Sequence, residues 1–121
     1  MAENLSHKSP QDVVTDYFRR VASQDMQQIL DIFSPGAEIE IGQGVFKGRD
    51  EIKTFYESGP LKFRQFRPEP GPFFITDNVV AVEVTLHGDG RKQKIADFFE
   101  VENGLVKKLV IYALVGHPFD F

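Results

Sequence analysis

Three side chains in this sequence stand where polar groups are costly. In "KIADFFEV", Lys94 to Val101, strand alternation puts Ile95, Asp97, Phe99 and Val101 on one face and Lys94, Ala96, Phe98 and Glu100 on the other. A carboxylate on an apolar face is tolerated only when it is paired, or protonated and hydrogen-bonded. Tyr17 falls on the stripe Val13, Val14, Tyr17, Phe18 and Val21, and Tyr56 on the stripe Ile52, Phe55 and Tyr56, both at helical spacing. An inward acid facing two phenols is a candidate for a perturbed pKa, and so for hydrogen-bond donation or proton transfer. Each residue alone also has a structural reading. A buried tyrosine is usually a core aromatic with a satisfied hydroxyl, and Asp97 fits equally well as an acid bonded to Tyr17 or to backbone. Only the combination of the three points to chemistry.

The elements that must position these groups follow from local signals. "SPQD" places Ser9 as an N-cap, Pro10 at the first helical position and Asp12 three residues after the cap. The first helix then buries Tyr17 and turns Asp16, Arg19 and Arg20 to water. Asp25 with Gln28 opens a short second helix through Met26, Ile29, Leu30 and Phe33, stopped by "SPG" at Ser34 to Gly36. "AEIEI" alternates as a half-buried strand with Ala37, Ile39 and Ile41 inward, and "GQGVFKG" reads as a turn and a short hairpin return. "GRDEIKTFYES" is a third helix ended by Gly59 and Pro60. The proline- and phenylalanine-rich stretch from Leu61 to Thr76 reads as a strand broken by a bulge or loop. Three strands follow as a meander, with "HGDG" and "ENG" supplying the turns. The expected class is α+β, with helices covering one face of a curved, mostly antiparallel sheet and a pocket on its concave side.

With 121 residues and 41% hydrophobic content, the chain suits one domain, expected over 9–121 behind a flexible tail at 1–8. A net charge of −4 gives no electrostatic reason for nucleic acid or an anionic membrane as a partner. The absence of cysteine excludes disulfides and thiolate chemistry within these residues. No apolar run approaches the ~18 residues of a membrane span, so a soluble, cytoplasmic protein is expected.

The order of elements, the "GRDEI" helix start and the "DFFEVENGLV" hairpin resemble the NTF2-like superfamily, and within it the ketosteroid isomerase and SnoaL-like group. The resemblance implies a cone in which three helices and a curved sheet enclose a pocket. It also implies roles for the three polar residues. Tyr17 matches the tyrosine that donates to the substrate carbonyl, Asp97 the aspartic acid that donates beside it while kept neutral by its apolar surroundings, and Tyr56 a supporting tyrosine. Pocket walls would come from Phe33, Ile41, Phe55, Phe99 and Ile111, with no cofactor or metal. The group's catalytic base is an aspartate on the first strand, and the matching residue here is Ile41, which cannot carry a proton. Losing such a base removes a factor of typically ~10²–10⁴.

Glu40, next to Ile41, would reach the pocket only if a bulge exchanged the faces of its strand. Glu83 is expected on the outer face. His7, His87 and His117 lack a second histidine at ligand spacing, and "GQGVFKG" lacks phosphate-loop spacing. "FRQFR" reads as a solvated strand edge rather than an anion site. Phe98, Tyr112 and Leu114 make the outer face more apolar than solvent requires, and relatives pair through this face, so a homodimer is expected. Two functions follow. One is a pocket that binds a small apolar carbonyl compound, or a dimeric interaction module, without catalysis. The other is an isomerase or related lyase or cyclase that uses Glu40 or water as base.

Overall fold

The structure, a computed structural model, describes residues 8–42, 44–114, 116 and 119. Most of the expected tail, with His7 and His117, lies outside the described residues. Three helices, α1 (Pro10–Ser23), α2 (Met26–Asp31) and α3 (Gly48–Ser58), pack on a six-stranded curved, unclosed sheet. Its strands are β1 (Phe33–Ile41), β2 (Gly44–Lys47), β3 (Arg67–Thr76), β4 (Val79–Gly88), β5 (Arg91–Glu102) and β6 (Leu105–Ala113), in the order β2-β1-β6-β5-β4-β3. Among the described residues only the β1–β6 pairing is parallel.

Local chemistry accounts for most boundaries. The Ser9 hydroxyl accepts from the Asp12 N–H at 3.1 Å and starts α1. Asp25 caps α2 by accepting from the Gln28 N–H at 3.3 Å. The tight hairpins use Asp89–Gly90 and Asn103–Gly104, with positive φ at both central residues, as a turn matching strand twist demands. Gly59 follows α3 in a backbone turn that only glycine fits, since a Cβ there would lie 2.8 Å from the Phe55 carbonyl oxygen.

Two expectations give way. Phe33 does not end α2; it opens β1 opposite Val106, and the register shift between Phe33 and Glu38 absorbs Ser34 to Gly36 as a bulge. Pro35 disfavours helix at the residue before it, and the Arg49 guanidinium donates to the Phe33 carbonyl at 2.6 Å, fixing the strand start against α3. Asp16 is not turned to water. It is 7% exposed and gathers Lys8, Arg19 and Arg20 around its carboxylate. Long cations folding back over a helix surface cover the acid they pair with.

The region from Leu61 onward resolves into a short 3-10 turn (Pro60–Lys62) and β3, with a register shift between Pro70 and Phe73. β3 is an edge strand, the place where prolines cost no ladder bonds. Along β5 burial alternates as expected, with Ile95, Asp97, Phe99 and Val101 buried and Phe98 exposed. Asp97 is therefore fixed on the inner face by its neighbours on both sides. No helix among the described residues is long and apolar enough to cross a membrane.

Candidate functional site

α1 and α3 each deliver one tyrosine to the inner face of the sheet, and their hydroxyl oxygens meet at 2.6 Å. Tyr17 is 5% exposed and Tyr56 1%. The Tyr17 ring is held edge-on by Phe99 at 5.0 Å and Phe33 at 6.0 Å between centroids, and the Tyr56 ring by Phe55 at 4.9 Å. Such edge-to-face packing fixes where each hydroxyl points.

Asp97 comes to the same place from β5. It is 3% exposed, and its Oδ1 is buried without a hydrogen-bond partner among the described residues. Burial alone pushes its pKa up to about 8, so at neutral pH the acid is predominantly protonated. Burial also raises Tyr17 well above the ordinary phenol value, reinforced by the neighbouring Tyr56 and Asp97. Tyr56 is raised for the same first reason. All three groups are thus neutral, and each carries an O–H.

The donor arithmetic is specific. One tyrosine hydroxyl donates to the other, which among the described residues leaves one phenolic proton uncommitted, and a protonated Asp97 has a second. Tyr17, Tyr56 and Asp97 line one small cavity walled by Phe18, Phe55, Phe66, Leu86, Ile95, Ile111 and Phe119. The volume open to the centre of a water-sized sphere is only about 20 Å³. That is room for about one water. The three polar groups thus face one small space with otherwise largely apolar walls.

The predicted walls divide. Phe55 and Ile111 line this cavity, whereas Phe33 and Phe99 lie behind Tyr17, fully buried. Ile41 borders a different depression, with Gly42, Val110 and Tyr112. Glu40 stays on the outer face of β1, away from Asp97. Register runs unbroken from Glu38 to Ile41, so no bulge turns Glu40 inward, and its carboxylate is 3.0 Å from Lys108 Nζ. Phe66, Leu86, Ile95 and Phe119 were not anticipated as walls. Alternation would have nominated Leu86 and Ile95, which share the inner face with Asp97; nothing local marks Phe119.

A larger groove opens at the far end of β3, β4 and β5, bordered by Gln24, Arg67, His87, Arg91 and Lys92. His87 Nε2 lies 2.8 Å from Glu69, and the Asp89 carboxylate accepts from the Arg64 N–H at 2.7 Å.

Among solved structures the chain is similar to a ketosteroid isomerase-like protein of Kribbella flavida, at 16% identity and a TM-score of 0.78 over 89% of this chain and 79% of that one. It is also similar to the epoxide hydrolase/cyclase-like enzyme of salinomycin pyran-ring formation, at 22% identity and a TM-score of 0.77 over 86% and 89% of the two chains. A de novo designed protein with a curved β-sheet matches at 26% identity and a TM-score of 0.75, over 86% and 84%. The fold is thus shared by enzymes and by a designed chain, and function must be argued from the site. No curated protein matches the chain. The SnoaL-like domain family matches residues 14–109, a stretch that carries Tyr17, Tyr56 and Asp97 together, and the chain belongs to that family.

Proposed function

We propose that this protein binds a small apolar carbonyl compound, with the oxygen received by the uncommitted proton of the Tyr17–Tyr56 pair and by protonated Asp97. The observation that carries this reading is Asp97 Oδ1, a buried polar atom without a partner among the described residues, in the wall of the cavity that the tyrosine hydroxyls also line. A buried polar atom left unsatisfied costs about 1–3 kcal/mol. A ligand oxygen that accepts from this acid recovers that cost, which an apolar compound of the same shape cannot do.

The reading is of binding rather than of the isomerase reaction. The family's base position holds Ile41, and Glu40 is committed to Lys108 on the other face. Any proton movement would have to use water or a group of the substrate itself. The same donors would stabilise an enolate if a base were supplied. A small cavity also means that a wall must move before anything larger than water enters.

Support for a second copy of the chain as partner comes from the outer face. Phe74, Ala81, Phe98 and Val110 form one row across four strands, and Phe98 and Tyr112 stack edge-on at 5.8 Å while 42% and 58% exposed. Homodimerisation through this face would remove that apolar surface from water.

Calorimetric titration with acetophenone, and with ethylbenzene as the shape-matched hydrocarbon, tests the pocket reading. Acetophenone is expected to bind the tighter, with Tyr17→Phe and Asp97→Leu each weakening it by about fivefold to tenfold and leaving ethylbenzene unchanged. Equal affinities for the two compounds would dismiss the donor pair.

A further inference from the structure

One wall of the cavity is Phe119, which comes from beyond the last strand. Its ring packs on Phe55 at 5.7 Å and 67°, and on Phe66 at 6.2 Å and 54°. It lines the same small cavity as Tyr17 and Asp97. Among the described residues its N–H also donates to Gln93 Oε1 at 2.6 Å.

Three features taken together distinguish this ring from the rest of the aromatic core, where Phe66 shares the first and Phe63 and Phe73 the third. Phe119 belongs to no helix or strand, whereas Phe55 and Tyr56 are locked in α3 and Phe99 in β5. Its φ is +63°, a left-handed conformation unfavourable for a bulky L-residue. It is only partly buried, while the side chains it covers are nearly inaccessible. The ring is therefore the wall whose departure disturbs least. Its departure would open a slot of benzyl size between Phe55 and Phe66, with the Asp97 carboxyl and the tyrosine pair within the same cavity.

We infer that the site takes a compound with one aromatic ring bearing a hydrogen-bond-accepting oxygen, and that Phe119 occupies the place of that ring until the compound displaces it. This rests on the carbonyl-binding reading above and narrows it. An aromatic ligand can repeat the edge-on contacts that Phe55 and Phe66 make with Phe119, and its oxygen can satisfy the acid that Phe119 leaves bare. A saturated fused-ring compound would need more than this one wall to move.

A displaced plug weakens apparent affinity by the fraction of molecules in which the slot is free. Removing the ring should therefore tighten binding without adding any contact to the ligand. Acetophenone is expected to bind the Phe119→Ala variant about tenfold or more tightly than the parent chain, with Gln93→Ala, which releases the backbone anchor, in between. Butanone, an acceptor oxygen without a ring, is expected to change less than about twofold across the same three proteins. Equal acetophenone affinity in the parent and in both variants would overturn displacement, and an equal gain for butanone would overturn the aromatic slot. The failure of the underlying reading looks different. There Phe119→Ala would bind acetophenone and ethylbenzene equally well, and adding Tyr17→Phe to it would change neither.

Discussion

Asp97 and Ile41 stand in one cross-strand row of the sheet, with Ile111 of β6 between them. At about 4.8 Å per strand, two strand spacings separate them by about 10 Å along the hydrogen-bonding direction. All three residues are buried, so the acid and Ile41, the residue that the resemblance sets at the group's base position, occupy the same side of the sheet. Ile41 borders a different depression, which shares Ile111 with the cavity that Asp97 lines.

Restoring a carboxylate at this position should therefore create activity. The Ile41→Asp variant is expected to convert a β,γ-unsaturated ketone to its conjugated isomer, followed by ultraviolet absorbance, at least about 10²-fold faster than the parent. Adding Tyr17→Phe should remove most of the gain, because the enolate oxygen would lose a donor. A parent chain that turns over as fast as Ile41→Asp would show that the base is supplied from elsewhere.

The raised pKa of Asp97 has a stability signature. The folded protein holds the proton up to about pH 8, whereas an exposed aspartate releases it near 3.8. The contribution is fully present below the lower value and is lost as pH rises through the interval to the upper one. Asp97→Asn should remove this dependence. Relative to the parent it is expected to gain stability progressively from about pH 4 and to be more stable at pH 9 by on the order of 2–4 kcal/mol. Urea unfolding at a series of pH values measures it, and a difference that is flat with pH would mean that Asp97 is ionised in the folded state.

The tyrosine pair should behave as a unit. Tyr17→Phe or Tyr56→Phe leaves a buried hydroxyl without its partner, so each single variant is expected to lose about 1–3 kcal/mol. In the double variant no orphan remains, so its loss should fall clearly short of the sum. Additive losses in chemical denaturation would show that the two hydroxyls do not depend on each other.

What the sequence made legible, and what it hid, divides by the range of the interactions involved. The Ser9 cap and the Asn103–Gly104 turn are decided within four residues, and both were readable. Asp97 was readable as an inward acid because strand alternation is local, and the same alternation correctly kept Glu40 on the far face. Phe33 was misread because its strand partner, Val106, lies far along the chain and competes with a helical pattern nearer by. Asp16 was misread because helical phase fixes where a side chain starts, while Lys8, Arg19 and Arg20 decide whether water reaches it. Phe119 was invisible for a similar reason: a ring outside any periodic element declares its partners, Phe55 and Phe66, only in three dimensions.

The outer face supplies the last expected outcome. Phe98 and Tyr112 face away from the helices, and the ion pairs of Lys94 with Glu83 at 4.0 Å and of Lys108 with Glu40 at 3.0 Å lie on the same side of the sheet. Apolar rows bordered by paired charges suit a partner bearing the same pattern, and the commonest symmetric solution is a two-fold pair. Light scattering at micromolar concentration is expected to give about twice the 13.8 kDa chain mass, and Phe98→Glu to restore the single-chain value. Two facing copies would bury two such glutamates in apolar surroundings, a cost the pair cannot bear. Because Phe98 points away from the cavity, the same substitution should leave acetophenone binding within about twofold. A parent that scatters as a single chain would remove the proposed interface and leave the pocket untouched.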